Sequence, residues 1–140
     1  MKVLFDTNVV LDVLLAREPH AAVAARLFTL VDSERIDGAV CATTVTTVAY
    51  LAAKAVGGRR ARTLLRRLLD LFAVAAVDRQ VLEAALRLDF ADAEDAVIHE
   101  AARAWGAAGI VTRNGADFGR ASLPVFAPEE LLAAVLATGD

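Results

Sequence analysis

A single cysteine, Cys41, excludes an intrachain disulfide, and within Gly38-Ala39-Val40-Cys41-Ala42 it reads as a small buried apolar residue. No apolar run approaches membrane-spanning length. Asp6 and Asp12 interrupt the one early apolar stretch, so the N-terminus has no signal-peptide pattern. These absences lead to the expectation of a soluble, cytoplasmic protein with no membrane partner. Positive charge is not in excess either: 15 Lys and Arg stand against 18 Asp and Glu, a net charge of −3. That balance does not advertise a nucleic-acid partner. It does not exclude one, because a local basic face or metal ions can meet phosphates within an acidic protein. No linker, internal repeat or low-complexity tract divides the chain.

What is abundant is apolar surface. Of 140 residues, 57% are hydrophobic, and much of that is alanine, which favours helices over an all-β structure. The length suits one compact domain spanning residues 1–140. Val3–Phe5 reads as a short buried strand, followed by a helix over Asn8–Leu15 that ends near Glu18-Pro19. From His20 to about Glu34, Val23, Leu27, Leu30 and Val31 recur at a helical period. Asp37-Gly38 punctuates the chain before a second strand, Ala39–Ala42. Thr43–Val56 carries strand-favouring Thr and Val, but its length and its Ala-Ala-Lys-Ala segment favour helix. Gly57-Gly58 stops it. Arg59–Leu71 is amphipathic, with Ala61, Leu64, Leu65, Leu68, Leu69 and Phe72 on the apolar side. Phe72–Val77 is a third strand, and Asp78 caps a helix over Val81–Leu88. Glu94–Trp105 is a helix closed by Gly106. Gly109–Thr112 and Pro124–Phe126 are the last strands, and Pro128 starts a helix over Glu129–Ala137. Alternating strands and helices predict an α/β fold: a three-layer α/β/α sandwich with a mainly parallel central sheet.

Sites in such sheets lie at the C-terminal strand ends. Asp6 directly follows the first strand. Asp117 lies just past Ile110-Val111-Thr112. Asp92, Glu94 and Asp95 sit at a helix start, where a spacing of three lets Asp92 and Asp95 share a face. Glu94 points away from Asp92 on a helix and ranks below them. Clustered carboxylates repel and need compensation. Hard divalent cations such as Mg²⁺ or Mn²⁺ supply it and can drive phosphodiester cleavage without a catalytic His or Cys. Each acid also has a plainer reading. Asp6-Thr7-Asn8 fits a turn and cap, Asp92 fits an N-cap, and Asp117 fits a loop.

Three stretches, VLFDTNVVLDVLL, ADAEDAVIHEAA and IVTRNGADFGR, with FAPEELL beyond them, together resemble a PIN domain. This is the fold of the VapC-like ribonuclease toxins, and the match is to a bacterial subgroup with a TRNxxDF ending. The resemblance implies a metal-dependent endoribonuclease leaving a 5′-phosphate and a 3′-hydroxyl. It also implies a toxin of a type II toxin–antitoxin pair, with a small antitoxin as partner and RNA as substrate. Homodimers are common in that family. Carried over, Asp6, Asp95 and Asp117 are catalytic, metal-holding acids, and Asp92 is a further ligand or water-binding acid. Asn114 flanks the site, Asn8 and Thr7 orient Asp6, and Arg113 is placed for phosphate contact. Arg120 flanks Asp117 in the same way, and Arg17 sits at the rim. One departure stands out: the Glu usual on the helix after the second strand is Thr47 here. That leaves a second reading, a degenerate PIN domain binding RNA or protein without catalysis. A response-regulator receiver also places acids at strand ends, but it needs paired acids after the first strand and a mid-chain phosphoacceptor that this sequence does not offer.

Other conspicuous residues have structural readings. His99 shares a helix face with Asp95 but reads as a polar helix residue. Trp105 and Phe118 read as packing groups. Arg59, Arg60, Arg62, Arg66 and Arg67 read as a solvated helix face or, alternatively, a surface for RNA or an acidic partner.

Overall fold

Val3, Leu4 and Phe5 are fully buried in strand β1, Lys2–Phe5. A strand covered on both faces needs a neighbour on each edge, and β1 has them. It is the middle strand of a five-stranded, all-parallel sheet ordered β3-β2-β1-β4-β5. The computed structural model describes residues 1–138. In it, β2 is Asp37–Cys41, β3 is Ala73–Ala75, β4 is Gly109–Val111 and β5 is Val125–Phe126. Helices α1 (Thr7–Leu14), α2 (Ala21–Asp32), α3 (Ala42–Val56) and α4 (Gly58–Leu71) belong to the first half of the chain. Helices α5 (Arg79–Leu86), α6 (Ala93–Trp105) and α7 (Pro128–Leu136) complete the set. This is the PIN-like α/β/α sandwich expected from the sequence. The strand order differs from the 2-1-3-4-5 order of receivers, which removes that alternative.

Alternation along the strands splits the core. Val3, Phe5, Val40 and Val111 face a cluster with Leu27, Leu68 and Leu131 from α2, α4 and α7. Leu4, Ala39, Cys41 and Ile110 face the other way, onto Val81 of α5 and Ile98, Ala101 and Ala102 of α6. The small residues of that second cluster let α6 approach the sheet closely, which is one use of the alanine excess. Phe5, Phe28 and Phe72 pack edge to face in the first cluster, with centroids 4.9–6.0 Å apart. Gly38 is required beneath them, since a Cβ there would lie 2.7 Å from the Phe72 ring.

Some boundaries shift from expectation. β2 begins at Asp37 and ends at Cys41, because Asp37 pairs with Lys2 and Ala42 already starts α3. β3 is shorter than Phe72–Val77, since only Ala73–Ala75 pair with β2. α5 starts at Arg79, because Asp78 caps it directly: the Val81 amide donates to Asp78 Oδ1 at 3.0 Å. Leu69, assigned to the apolar side of α4, is exposed, since Leu68 and Ala61 supply that helix's buried contacts. Gly106 closes α6 in the left-handed conformation at φ 87°.

Candidate functional site

The strand order reverses at β1: the chain passes from β1 to β2 and β3 on one side, then to β4 and β5 on the other. A crevice opens at the carboxyl ends of strands where order reverses, here between β1 and β4. Asp6 follows β1 directly, and the Thr112–Asp117 segment follows β4.

Asp6 is almost fully buried and is held from three sides. It is the N-cap of α1, where the Thr7 amide donates to its Oδ1 at 2.8 Å. The buried Thr112 hydroxyl donates to its Oδ2 at 2.8 Å, and the Asn8 amide approaches the same oxygen at 3.5 Å. Thr112 is also an acceptor for Asn8 Nδ2 at 3.2 Å and for the Asn114 amide at 3.0 Å. Asn8 Oδ1 in turn accepts the Arg113 amide at 3.2 Å. One threonine and one asparagine thus tie the two strand ends together around the carboxylate.

Asp6 shares an open cleft of about 370 Å³ with Asp92, Glu94, Asp95 and Asp117. Asn8, Asn114, Arg17 and Arg113 line it too. The structure therefore brings together every residue singled out for the site except Arg120 and Thr47, of which Thr47 stands one contact back. The Thr47 hydroxyl donates to Glu94 Oε1 at 3.5 Å. Arg120 instead pairs with Asp89 at 3.2 Å and is not part of the cleft lining.

Crowding shows in the proton affinities. Burial, the largest cause, raises Asp6 above the ordinary carboxylate range, against the hydrogen bonds from Thr112 and Thr7, and Glu94 and Asp117 add repulsion. Asp95 is pushed up to about 7, first by burial and then by the charges of Asp6, Asp92, Asp117 and Glu94. The first-turn amides of α1 and α6 meet part of this charge through the caps: Thr7 donates to Asp6, and Glu94 and Asp95 donate to Asp92. All five acids are hard oxygen donors, the type suited to Mg²⁺, Mn²⁺ or Ca²⁺. Among the described residues, no three His, Cys, Asp or Glu side chains stand close enough to hold an ion as they are placed. The donor chemistry fits such an ion, while the arrangement is not closed around a point.

Sequence reasoning underrated Glu94. Helical-wheel geometry set it opposite Asp92, but Asp92 is not on the helix. It is the extended N-cap of α6, with its Oδ1 accepting the amides of Glu94 at 2.7 Å and Asp95 at 3.4 Å. The cap reading of Asp92 is therefore correct, and the residue still lines the cleft. Two further residues were missed. Thr112 could have been noticed as a polar residue ending an apolar strand. Asp12, fully buried in α1, could have been noticed as a lone acid in an apolar helix five residues before Arg17. It pairs with Arg17 at 2.9 Å and Arg113 at 2.6 Å.

His99 is buried and packs as a structural group: its Nδ1 meets Glu100 Oε2 at 2.7 Å, and its Nε2 accepts the Ser122 amide at 3.0 Å. Phe118 is core, and Trp105 carries the Lys2 ammonium 4.4 Å from its ring centroid.

A parallel α/β sandwich with a carboxylate cluster at its switch point is the class that fold and site define. The sequence model of the PIN domain family matches residues 2–116, and the chain belongs to that family. Among solved structures, it is similar to DNA-bound VapBC from Salmonella typhimurium, with 18% identity, TM-score 0.73, and 91% of this chain and 98% of that one covered. It is also similar to a toxin–antitoxin complex from Klebsiella pneumoniae, with 25% identity, TM-score 0.67, and 90% and 97% covered. VapC20 of Mycobacterium tuberculosis, a Sarcin–Ricin loop cleaving toxin, matches with 19% identity, TM-score 0.61, and 77% and 86% covered. Among curated protein sequences none matches.

Proposed function

We propose that this chain is a metal-dependent endoribonuclease that hydrolyses RNA phosphodiester bonds. The observation that carries the reading is the cleft in which Asp6, Asp95 and Asp117, from three separate segments, meet with Asp92 and Glu94. Asp6, Asp95 and Asp117 would hold a divalent cation, Mg²⁺ or Mn²⁺, with Asp92 and Glu94 beside them. A bound ion of this kind acidifies water and draws charge from a phosphate oxygen. The chain's own groups do the rest. Thr112 and Asn8 fix the Asp6 carboxylate, Asn114 borders the opening, and Arg17 and Arg113 offset part of the negative charge. The openness of the cleft suits a polymer backbone rather than an enclosed small molecule.

Kinship with toxin–antitoxin proteins supports a further step: this is a single-domain toxin of a type II pair, cytoplasmic, homodimeric and restrained by a small antitoxin. No helix among the described residues is long and apolar enough to cross a membrane.

Thr47, standing where the family usually has Glu, favours one competing reading, the non-catalytic binding module. Purified protein incubated with a panel of structured RNAs in Mg²⁺, Mn²⁺ or EDTA, beside an Asp6→Ala/Asp95→Ala double variant, separates the two. Metal-dependent cutting absent from the variant is the expected result. No cutting, with no heat of Mn²⁺ binding by calorimetry, would leave the binding module.

A further inference from the structure

We propose that Asp12 is a positioning residue that holds Arg17 and Arg113 in the carboxylate cleft as a paired phosphate-binding edge for the RNA strand. The proposal rests on the nuclease reading above.

Asp12 has no exposed surface, and a buried carboxylate must be paired and hydrogen-bonded. Its pairing exceeds what neutrality requires. Oδ1 accepts Arg17 Nε at 2.9 Å and Arg113 Nη2 at 3.2 Å, and Oδ2 accepts Arg113 Nε at 2.6 Å. One carboxylate thus gathers two guanidinium groups from segments far apart in sequence, leaving the trio with one net positive charge. Arg17 is fixed further by a bond from its Nη2 to the Asn8 carbonyl at 3.1 Å. Neither guanidinium is used up. Nη1 of each makes no protein hydrogen bond among the described residues. The side chains remain 39% and 27% exposed, and both line the cleft.

Two long side chains would normally lose much rotamer freedom on gripping a ligand. Here Asp12 has already fixed them, so binding has less ordering to oppose it. The chemistry they suit is a phosphate oxygen, which guanidinium groups bind through short charge-assisted hydrogen bonds. The placement answers a difficulty of the site itself, because five acids in one cleft repel a polyanion. A rigid cationic edge in the same cleft gives the backbone a place to lie while the acids face the cation.

The test separates position from charge. Binding of a fluorescein-labelled single-stranded RNA is measured by anisotropy in an Asp6→Asn/Asp95→Asn background, which lowers the repulsion and removes turnover. Asp12→Asn makes the trio more positive, so charge alone predicts tighter binding, whereas lost positioning predicts weaker binding. Arg17→Lys and Arg113→Lys keep the charge and lose the fork. Each is expected to weaken binding by about tenfold, the worth of one charge-assisted contact. Mn²⁺ binding by calorimetry, measured with Arg113→Lys in the otherwise native chain, is expected to be unchanged.

Unaltered or tighter RNA binding by a folded Asp12→Asn variant overturns the proposal. Unaltered binding by both lysine variants does so even if Asp12→Asn fails to fold. An effect on a polyglutamate peptide but not on RNA overturns it in favour of an acidic protein segment. Weakened RNA binding in the lysine variants of a protein that cuts no RNA supports the phosphate edge and rejects the nuclease. Cutting by the native chain with RNA binding unmoved in both lysine variants does the reverse.

Discussion

Replacing Asp95 by Asn should stabilise the metal-free protein while abolishing its response to metal. The Asp95 carboxyl is pushed from 3.8 up to about 7, first by burial and then by its acidic neighbours. Well below pH 3.8, folded and unfolded chains both carry its proton. As pH rises from 3.8 towards 7, the unfolded chain releases the proton and the folded chain keeps it, so stability falls across that window. Above it, the folded chain bears the whole penalty of an ionised Asp95. At face value the shift corresponds to about 4 kcal/mol. The side chain is only partly buried, and solvent screening reduces this to about 1–2 kcal/mol. Asn has nearly the same shape and no charge. Thermal unfolding in EDTA at pH 8 should therefore show Asp95→Asn melting roughly 3–8 °C above the native chain. The gap should narrow as pH falls from about 7 and close below 3.8. Saturating Mn²⁺ should reverse the order, because ligand binding stabilises only a chain that binds it, by about 2.7 kcal/mol at a hundredfold excess over Kd. If Asp95→Asn melts below the native chain in EDTA at pH 8, or if the gap does not change with pH, the acids are not in conflict and the reasoning fails.

Thr47→Glu should return a carboxylate beside Glu94, tightening Mn²⁺ by about tenfold in calorimetry and lowering stability in EDTA by about 0.5–1 kcal/mol. Gly38→Ala places a Cβ 2.7 Å from a Phe72 ring that its aromatic neighbours hold, so urea unfolding should show a loss of about 1–3 kcal/mol with an unchanged slope. Leu27→Ala, at a fully buried position of α2, should cost about 2–5 kcal/mol in the same assay. His99→Ala leaves the Ser122 amide without its acceptor and the buried Glu100 with Arg103 alone, and hydrogen exchange at Ser122 should accelerate along with a loss of about 1–3 kcal/mol.

Local chemistry was legible in the sequence. Val3–Phe5 is too apolar to lie anywhere but the sheet interior, and Asp78, Gly106 and Pro128 marked helix ends because caps act within a turn of the residues they serve. The acids Asp6, Asp92, Asp95 and Asp117 could be assigned to strand ends and a helix start for the same reason. Edges that depend on pairing were less legible. The end of β3 is set by how far β2 extends beside it, and β2 starts at Asp37 because Lys2 is opposite.

The sequence by itself determined which segments are strands and helices, and that carboxylates stand at several of their ends. Only the tertiary structure decided that β4 lies against β1, so that Thr112 reaches Asp6 across 106 residues and Arg113 reaches Asp12 across 101. It also decided that Asp92 leaves the helix to cap it, which frees Glu94 to join the cleft. Periodicity and capping are interactions of near neighbours, written into short stretches of chain. Strand order is a property of the whole core, settled by which arrangement of two apolar faces buries best, and no short stretch carries it.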